Sequence, residues 1–400
     1  MNVLLVGSGG REHALAWRLA RSPSVDALHA APGNPGIARL GTCHPVRAED
    51  AEGLLTLARG LDADLVVVGP EAPLVAGVGD TLRRAGLAVF GPSAAAARIE
   101  GSKSFAKEVM EAAGVPTAET MAVARAPCVV KADGLTAGKG VHVCRTQDEL
   151  DAALRAVSAR GGGVVIEELL QGKELSLFAL VDGKDVLALP EARDYSRVGD
   201  GDTGPNTGGM GCYSPVDDAP DPAELVDELI KPVVDELGRR GTPFLGCLYA
   251  GLMLTEDGPR VLEFNCRFGD PETQSLLPRL DGDLAAALAA AAAGELTEEV
   301  AVADAAAVTV VLAAGGYPEQ RDAGSPIAGV DDAEADGALV FHAGTALRDG
   351  RLVTNGGRIL AVTARGATVA QARQQTYAAV GKISFPGMRY RSDIGAPVHA

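Results

Sequence analysis

The sequence predicts an α/β protein that opens on a parallel sheet and ends in a strand-rich α+β region. Three observations carry this. Apolar runs of four to six residues alternate with amphipathic stretches through the first hundred residues, the pattern of a parallel sheet covered on both faces. The 400-residue chain is 47% hydrophobic with 50 glycines, which suits a compact enzyme of two to four domains with many tight turns. From about Ala305, the strand-like runs AVTVVLAAGGYP, ALVFHAGT and GRILAVTA follow one another, before a helix predicted over 369–382.

The first strand is NVLLV (2–6), followed by Gly7–Gly10 and an amphipathic helix through about Arg21. LHAAPGN follows, then the strand ADLVVVGPE (63–71), a helix predicted over 75–85, and LAVFGPS (87–93). Ligands of such sheets bind at the carboxyl ends of strands. Three such ends are polar or glycine-rich here, at 7–12, 32–36 and 69–71. GSGGRE resembles a dinucleotide fingerprint but fails it, because the third glycine would fall on Glu12. A helix N-terminus beside Arg11 can still accept one phosphate.

In the middle region Ser102 reads as the N-cap of a helix through Ala112. Pro116 opens a strand-rich stretch to about Asp182, containing PCVVKADGLTAGKGVHV (127–143). Its two strand-like runs flank the loop Asp133–Gly140. Gly134, Gly138 and Gly140 let backbone amides approach a phosphate, since no Cβ stands in the way. Lys139 in the loop and Lys131 on the preceding strand can add cationic contacts. GxxxxGK[ST] is absent, so a glycine-rich hairpin over nucleotide phosphates is the better picture. The polar, glycine-rich stretch Ala192–Tyr213 is too long for a mere connector and reads as functional. A helix over 224–240 and a strand over 245–254 lead to VLEFNCRFGDPE (261–272).

That last segment reads as a strand of alternating character. Glu263, Asn265 and Arg267 share one face, with neighbours about 7 Å apart. Leu262, Phe264, Cys266 and Phe268 take the other, apolar face. A carboxylate and an amide oxygen suit a hard divalent cation such as magnesium. The guanidinium beside them grips a carboxylate or phosphate with two hydrogen bonds. The face fits a metal–triphosphate site with an anionic substrate next to it.

The net charge of −17 argues against sequence-independent nucleic-acid binding. Local lysines and arginines must then capture anionic substrates. The six cysteines form no CxxC pair and read as small buried hydrophobes. Reduced cysteines and the lack of a signal peptide point to the cytoplasm. The longest low-polarity stretch, Leu284–Ala293, is too short to span a membrane. The six histidines show no metal-ligand spacing; His13 and His342 read as structural.

Nine motifs in register carry a resemblance. GSGGREHALAW (7–17), APGNPG (31–36), VGPEAPL (68–74), FGPS (90–93), EGSKSF (100–105), KADGLTAGKGV (131–141), GPNTGGMG (204–211), LYAGLM (248–253) and EFNCRFGDPETQ (263–274) resemble the phosphoribosylamine–glycine ligase family of the ATP-grasp superfamily. RSDIG (391–395) is similar to that family's C-terminal end. The resemblance implies an N-terminal α/β substrate-binding domain (1–100), an ATP-grasp domain (101–304, lid about 117–182) and a C-terminal domain (305–400). It implies ATP-dependent ligation of glycine to 5-phosphoribosylamine through glycyl phosphate by a monomer, with magnesium or manganese as cofactor and neither nucleic acid nor membrane as partner. Glu263 and Asn265 would hold the metal, and Arg267 would be catalytic, steadying the glycine carboxylate or the phosphoryl group. ATP would meet Lys103, Lys131, Gly134, Gly138, Lys139, Gly140, Glu167, Glu168, Leu170 and Glu174. Gly10, Arg11, Asn34, Glu71, Asp194, Asn206 and Thr207 would line the pocket for phosphoribosylamine and glycine.

Three departures accompany the resemblance. Gly251 stands where many ATP-grasp enzymes place another acidic metal ligand. Ser196 stands where the family often has a lysine. The lid segments MAVARAP (121–127) and SARGGG (158–163) are short. The rivals are another ATP-grasp carboxylate–amine ligase, which would lack GPNTGGMG, and a nucleotide-binding regulator, which would not need a metal beside a guanidinium.

Overall fold

The computed structural model describes residues 1–136, 140–296 and 300–397. Asn2–Gly7 is the central strand of a five-stranded parallel sheet, ordered Thr42–Cys43, Ala27–Pro32, Asn2–Gly7, Leu65–Val68, Val89–Phe90. Its apolar run is buried on both faces: Val3 and Leu5 pack into one core, Leu4 and Val6 into another. The helix Gly10–Leu19 begins directly after it. Glu12 folds back to accept a hydrogen bond from Gly9 N at 2.6 Å. A Cβ at Gly7, Gly9 or Gly69 would stand within 3 Å of the Glu12 side chain. These glycines make room for a buried carboxylate, which is why a fingerprint-like loop carries Glu12 at its third position. The helix predicted over 75–85 is instead two, Glu71–Val75 and Val78–Arg84, parted at Gly77 with φ +85°.

Ser102 caps the helix Lys103–Ala113, its hydroxyl accepting from Phe105 N at 3.2 Å. In the segment expected to form the lid, a three-stranded sheet orders Val141–Cys144, Cys128–Ala132 and Val164–Glu168, all antiparallel. Gln147–Ser158, a helix absent from the sequence-based expectation, covers it with Leu150, Ala153 and Val157. Its sequence signal is the capping box of Thr146 and Glu149.

Beneath the lid lies a four-stranded antiparallel sheet: Val186–Ala188, Lys173–Asp182, Leu245–Thr255, Gly258–Asn265. Here one expectation fails. Gly251 pairs with Glu263 and Leu252 with Val261, so Leu262 is an extra residue, a β-bulge. The bulge flips the alternation. Val261, Phe264 and Cys266 enter the core, Phe264 also bordering the cavity, while the half-buried Leu262 leaves the core for the cavity wall.

The C-terminal sheet orders Arg193–Asp194, Gly211–Ser214, Ala306–Ala313, Arg358–Gly366, Leu339–His342. Its first two strands come from the polar stretch 192–213, which is thereby anchored to the last third of the chain. The helix Val369–Val380 packs on this sheet through Ala372, Ala379 and Val380.

Candidate active site

A cavity of about 830 Å³ lies where the first sheet, the lid and the strand Gly258–Asn265 meet. The C-terminal segments 317–321, 343–345 and 355–358 wall its far side.

Glu263, exposed, has no cationic partner among the described residues; it accepts from Asn265 Nδ2 at 3.3 Å. Asn265 is buried and its Oδ1 accepts from Arg267 Nη2 at 3.2 Å. Arg267 also donates to Glu71 (Nε, 3.2 Å), Glu100 (Nη2, 3.0 Å) and the Phe268 carbonyl (Nη1, 3.2 Å). The planar fork is thus held in one orientation from three sides. Burial opposes ionisation of Glu71, but Arg267 and then Arg11 outweigh it and hold its carboxyl at about 2. At Glu100 burial outweighs Arg267 and raises the carboxyl above its ordinary value.

At the lid end, the Glu167 carboxylate bridges two lysines, Lys131 at 2.6 Å and Lys107 at 2.9 Å. Lys131 also donates to the bulged Leu262 carbonyl at 2.8 Å, so the bulge fixes a cation. Lys103 Nζ reaches the Gly134 carbonyl at 3.0 Å, and Lys103 N donates to Asp133 at 2.6 Å. Three lysines, two on Glu167 and one beside Asp133, outnumber the two carboxylates and leave net positive charge for an anion.

At the N-terminal end, Arg11 pairs with Glu12 at 2.5 Å and lies 3.8 Å from Glu71. The Asn34 amide is fully engaged: it donates to the carbonyls of Ser8 (2.9 Å) and His342 (2.8 Å) and accepts from Gly36 and Ile37. Although Asn34 borders the cavity, its geometry is that of a strut between the first sheet and the C-terminal region.

An acidic patch, half-buried at Asp194 and buried at Glu272, sits between these ends. Ser196 donates its hydroxyl to Asp194 at 2.7 Å. Burial and then Glu174 push the Asp194 carboxyl up to about 6. Glu272 accepts from Tyr249 OH at 2.8 Å, and its other oxygen has no partner. Burial and then Asp194 push it up to about 7.

The cavity gathers Gly10, Arg11, Asn34, Glu71, Lys103, Lys131, Gly134, Glu167, Asp194, Thr207, Glu263, Asn265 and Arg267. Gly140, Glu168, Leu170, Glu174 and Asn206 are not among its lining residues. Glu168 turns away to accept from Glu119 N at 3.0 Å, and Asn206 pairs with Arg197 in a hairpin. Gly138 and Lys139 lie outside the described residues. Sequence reasoning missed Glu100, Lys107, Glu272 and Arg358. Lys107 had a signal, since it follows Lys103 by one helical turn. Glu100 and Arg358 had none, because their partners lie far along the chain.

Comparison with known proteins decides the family. Three phosphoribosylglycinamide synthetase profiles match in order: the N domain over 1–100, the ATP-grasp (A) domain over 101–273 and the C domain over 307–397. The chain belongs to the phosphoribosylglycinamide synthetase family. Phosphoribosylamine–glycine ligase of Streptomyces coelicolor is 52% identical, with 99% of each chain covered. That of Rhizobium meliloti is 51% identical over 99% of this chain and 98% of its own. The crystal structure of the Thermotoga maritima ligase superposes with a TM-score of 0.86 at 36% identity, over 98% of this chain and 100% of its own. N5-carboxyaminoimidazole ribonucleotide synthetase of Thermotoga maritima, at 17% identity and a TM-score of 0.67 over 96% of this chain and 99% of its own, shares the fold alone. The α/β fold with an ATP-grasp core, expected from sequence, is thereby borne out.

Proposed function

We propose that this synthetase-family chain joins glycine to 5-phosphoribosylamine with cleavage of ATP, giving glycinamide ribonucleotide, ADP and phosphate in purine biosynthesis. The supporting observation is the single cavity that sets the lysine cluster, the Glu263–Asn265–Arg267 face and the Arg11–Glu71 pair side by side. Lys103 and Lys131 hold the phosphates of ATP beneath the lid, while Lys107, engaged by Glu167, Thr117 and the Ala118 carbonyl, fixes the Glu167 carboxylate between them. The γ-phosphoryl group passes to the glycine carboxylate, and Arg267, fixed by Glu71 and Glu100, steadies the charge. The amine then attacks the acyl carbon of glycyl phosphate, phosphate leaves, and the nitrogen loses a proton.

The residues fit a divalent cation. Glu263 has no cationic partner among the described residues and lies beside Asp194 and Glu174, and the Asn265 amide, which here turns Nδ2 to Glu263 and Oδ1 to Arg267, offers a second oxygen once it turns over. Among the described residues no group of three or more acidic, histidine or cysteine side chains could hold an ion alone, so phosphate oxygens and water would complete its shell. Glu263 and Asn265 would hold magnesium or manganese, which when bound neutralises charge on the phosphates.

No helix among the described residues is long and apolar enough to cross a membrane. The reading is of a cytoplasmic monomer acting on small molecules. The test is ADP release from ATP and magnesium. It should require both glycine and phosphoribosylamine; release independent of either would refute the assignment.

A further inference from the structure

We propose that Arg358 is a positioning residue that locks the two loops on the amine side of the cavity, leaving the nucleotide side untouched. This rests on the reading that the side opposite the lysine cluster receives the amine.

Arg358 lies on the C-terminal region but spends its bonds elsewhere. Nη1 donates to the carbonyls of Gly208 and Asp270, the latter at 2.8 Å. Nη2 pairs with the Asp270 carboxylate at 3.2 Å. One guanidinium thus ties the loop that carries Thr207 to the turn that carries Glu272. The other Asp270 oxygen accepts from Gln274 at 2.8 Å, so this carboxylate is held at both ends. Tyr317, also from the C-terminal region, accepts from Gly208 N at 2.9 Å.

The loop is shaped for this grip. A Cβ on Gly208 would stand 3.2 Å from the guanidinium carbon. Gly209 has φ +105°, and a Cβ there would meet Pro271 at 2.4 Å. The base of Arg358 is equally constrained, since a Cβ on Gly357 would meet the Tyr317 ring at 2.6 Å. No described hydrogen bond or ion pair joins Arg358 to Lys103, Lys107, Lys131 or Glu167. Its influence therefore falls on one half of the cavity.

The test is Arg358→Ala in the full-length protein. The expected result is a KM for phosphoribosylamine raised tenfold or more and a reduced kcat. Affinity for a non-hydrolysable ATP analogue with magnesium stays within twofold by calorimetry. Millimolar guanidinium restores part of the lost turnover. Arg358→Lys does not, because an ammonium cannot reach both carbonyls and the carboxylate together. If Arg358→Ala does not fold, Asp270→Asn removes the ion pair while keeping the backbone bonds, and the same split in smaller measure is expected. Unchanged amine kinetics, full recovery in Arg358→Lys, or an equal loss of ATP affinity would overturn the proposal. A wild-type enzyme that ignored phosphoribosylamine would overturn the underlying reading instead, before any variant was made.

Discussion

Two carboxylates in the cavity have opposite surroundings, and their variants should behave differently. Glu263 is exposed and has no cationic partner among the described residues, so Glu263→Gln changes the charge at the proposed metal site with little effect on packing. Turnover is expected to fall by several orders of magnitude with an unchanged melting temperature, because several kcal/mol of charge stabilisation are at stake. Near-normal kcat at saturating magnesium would contradict this. Glu272 is buried with one oxygen unpartnered, and its carboxyl stands near 7 against an ordinary 4.5. An acid whose folded pKa is raised weakens the fold as pH rises through that window: the unfolded chain releases its proton first. Below about 4.5 there is no penalty, and above 7 it is complete, on the order of 3 kcal/mol. Glu272→Gln keeps an acceptor for Tyr249 and should raise Tm of the metal-free protein at pH 8 but not near pH 4.5. Equal shifts at both values would show that the effect is not ionic. Arg267→Lys keeps the charge but cannot serve Glu71, Glu100 and Asn265 together. Glycine-dependent turnover should drop while calorimetric ATP affinity holds.

At the scale of elements, the strand Gly258–Asn265 shows what a bulge does. Phe264 is 2% exposed and lies in the main core, so Phe264→Ala should cost about 3–5 kcal/mol in denaturant unfolding. Leu262 faces the cavity and should cost far less in stability yet weaken nucleotide binding. Strict alternation predicts comparable losses from both, so the pair separates the two registers. The sequence made the chemistry of this strand legible, because Glu263, Asn265 and Arg267 stay together whatever the phase. It did not reveal the bulge, which is a property of pairing with Leu245–Thr255 and not of the strand itself. The same holds elsewhere. Ser102 as an N-cap was visible because its partner is three residues away. Glu100 as the anchor of Arg267 was invisible, because the two are 167 residues apart. In the lid, Gly134 has φ +107° with open space around its missing Cβ. Gly134→Ala therefore brings backbone strain without a clash, about 1–2 kcal/mol. It should weaken ATP binding roughly tenfold and leave global Tm nearly unchanged, since the strain falls on the lid edge.

For the whole molecule, the seam between the first sheet and the C-terminal region decides whether the cavity has a far wall. Two imidazoles sit in that seam, beside the Trp17–Phe341 ring contact and the Arg39–Glu334 ion pair. His342 N donates to His13 Nδ1 at 2.7 Å, the two rings meet edge to face, and the Asn34 amide holds the His342 carbonyl. Burial and then Arg39 push His342 down to about 4. Burial and then His342 hold His13 well below the ordinary histidine value. Both rings are thus neutral in the folded chain at neutral pH. A base whose folded pKa is depressed gives stability that is present above its ordinary 6.5 and is lost as pH falls toward 4, since the unfolded chain binds the proton first. For His342 alone the loss is on the order of 3 kcal/mol. Tm should therefore fall from pH 6.5 to pH 4 more steeply than carboxylate pairing requires. His342→Asn keeps a polar atom near Thr345 but cannot take up a proton. It is expected to lower Tm at pH 7.5 through lost packing, and to flatten the slope between pH 6.5 and 4. Parallel curves for the two proteins would place the acid sensitivity outside this seam. A flattened curve would mean that the imidazoles joining the first and last thirds of the chain set the lower pH limit of the assembled cavity.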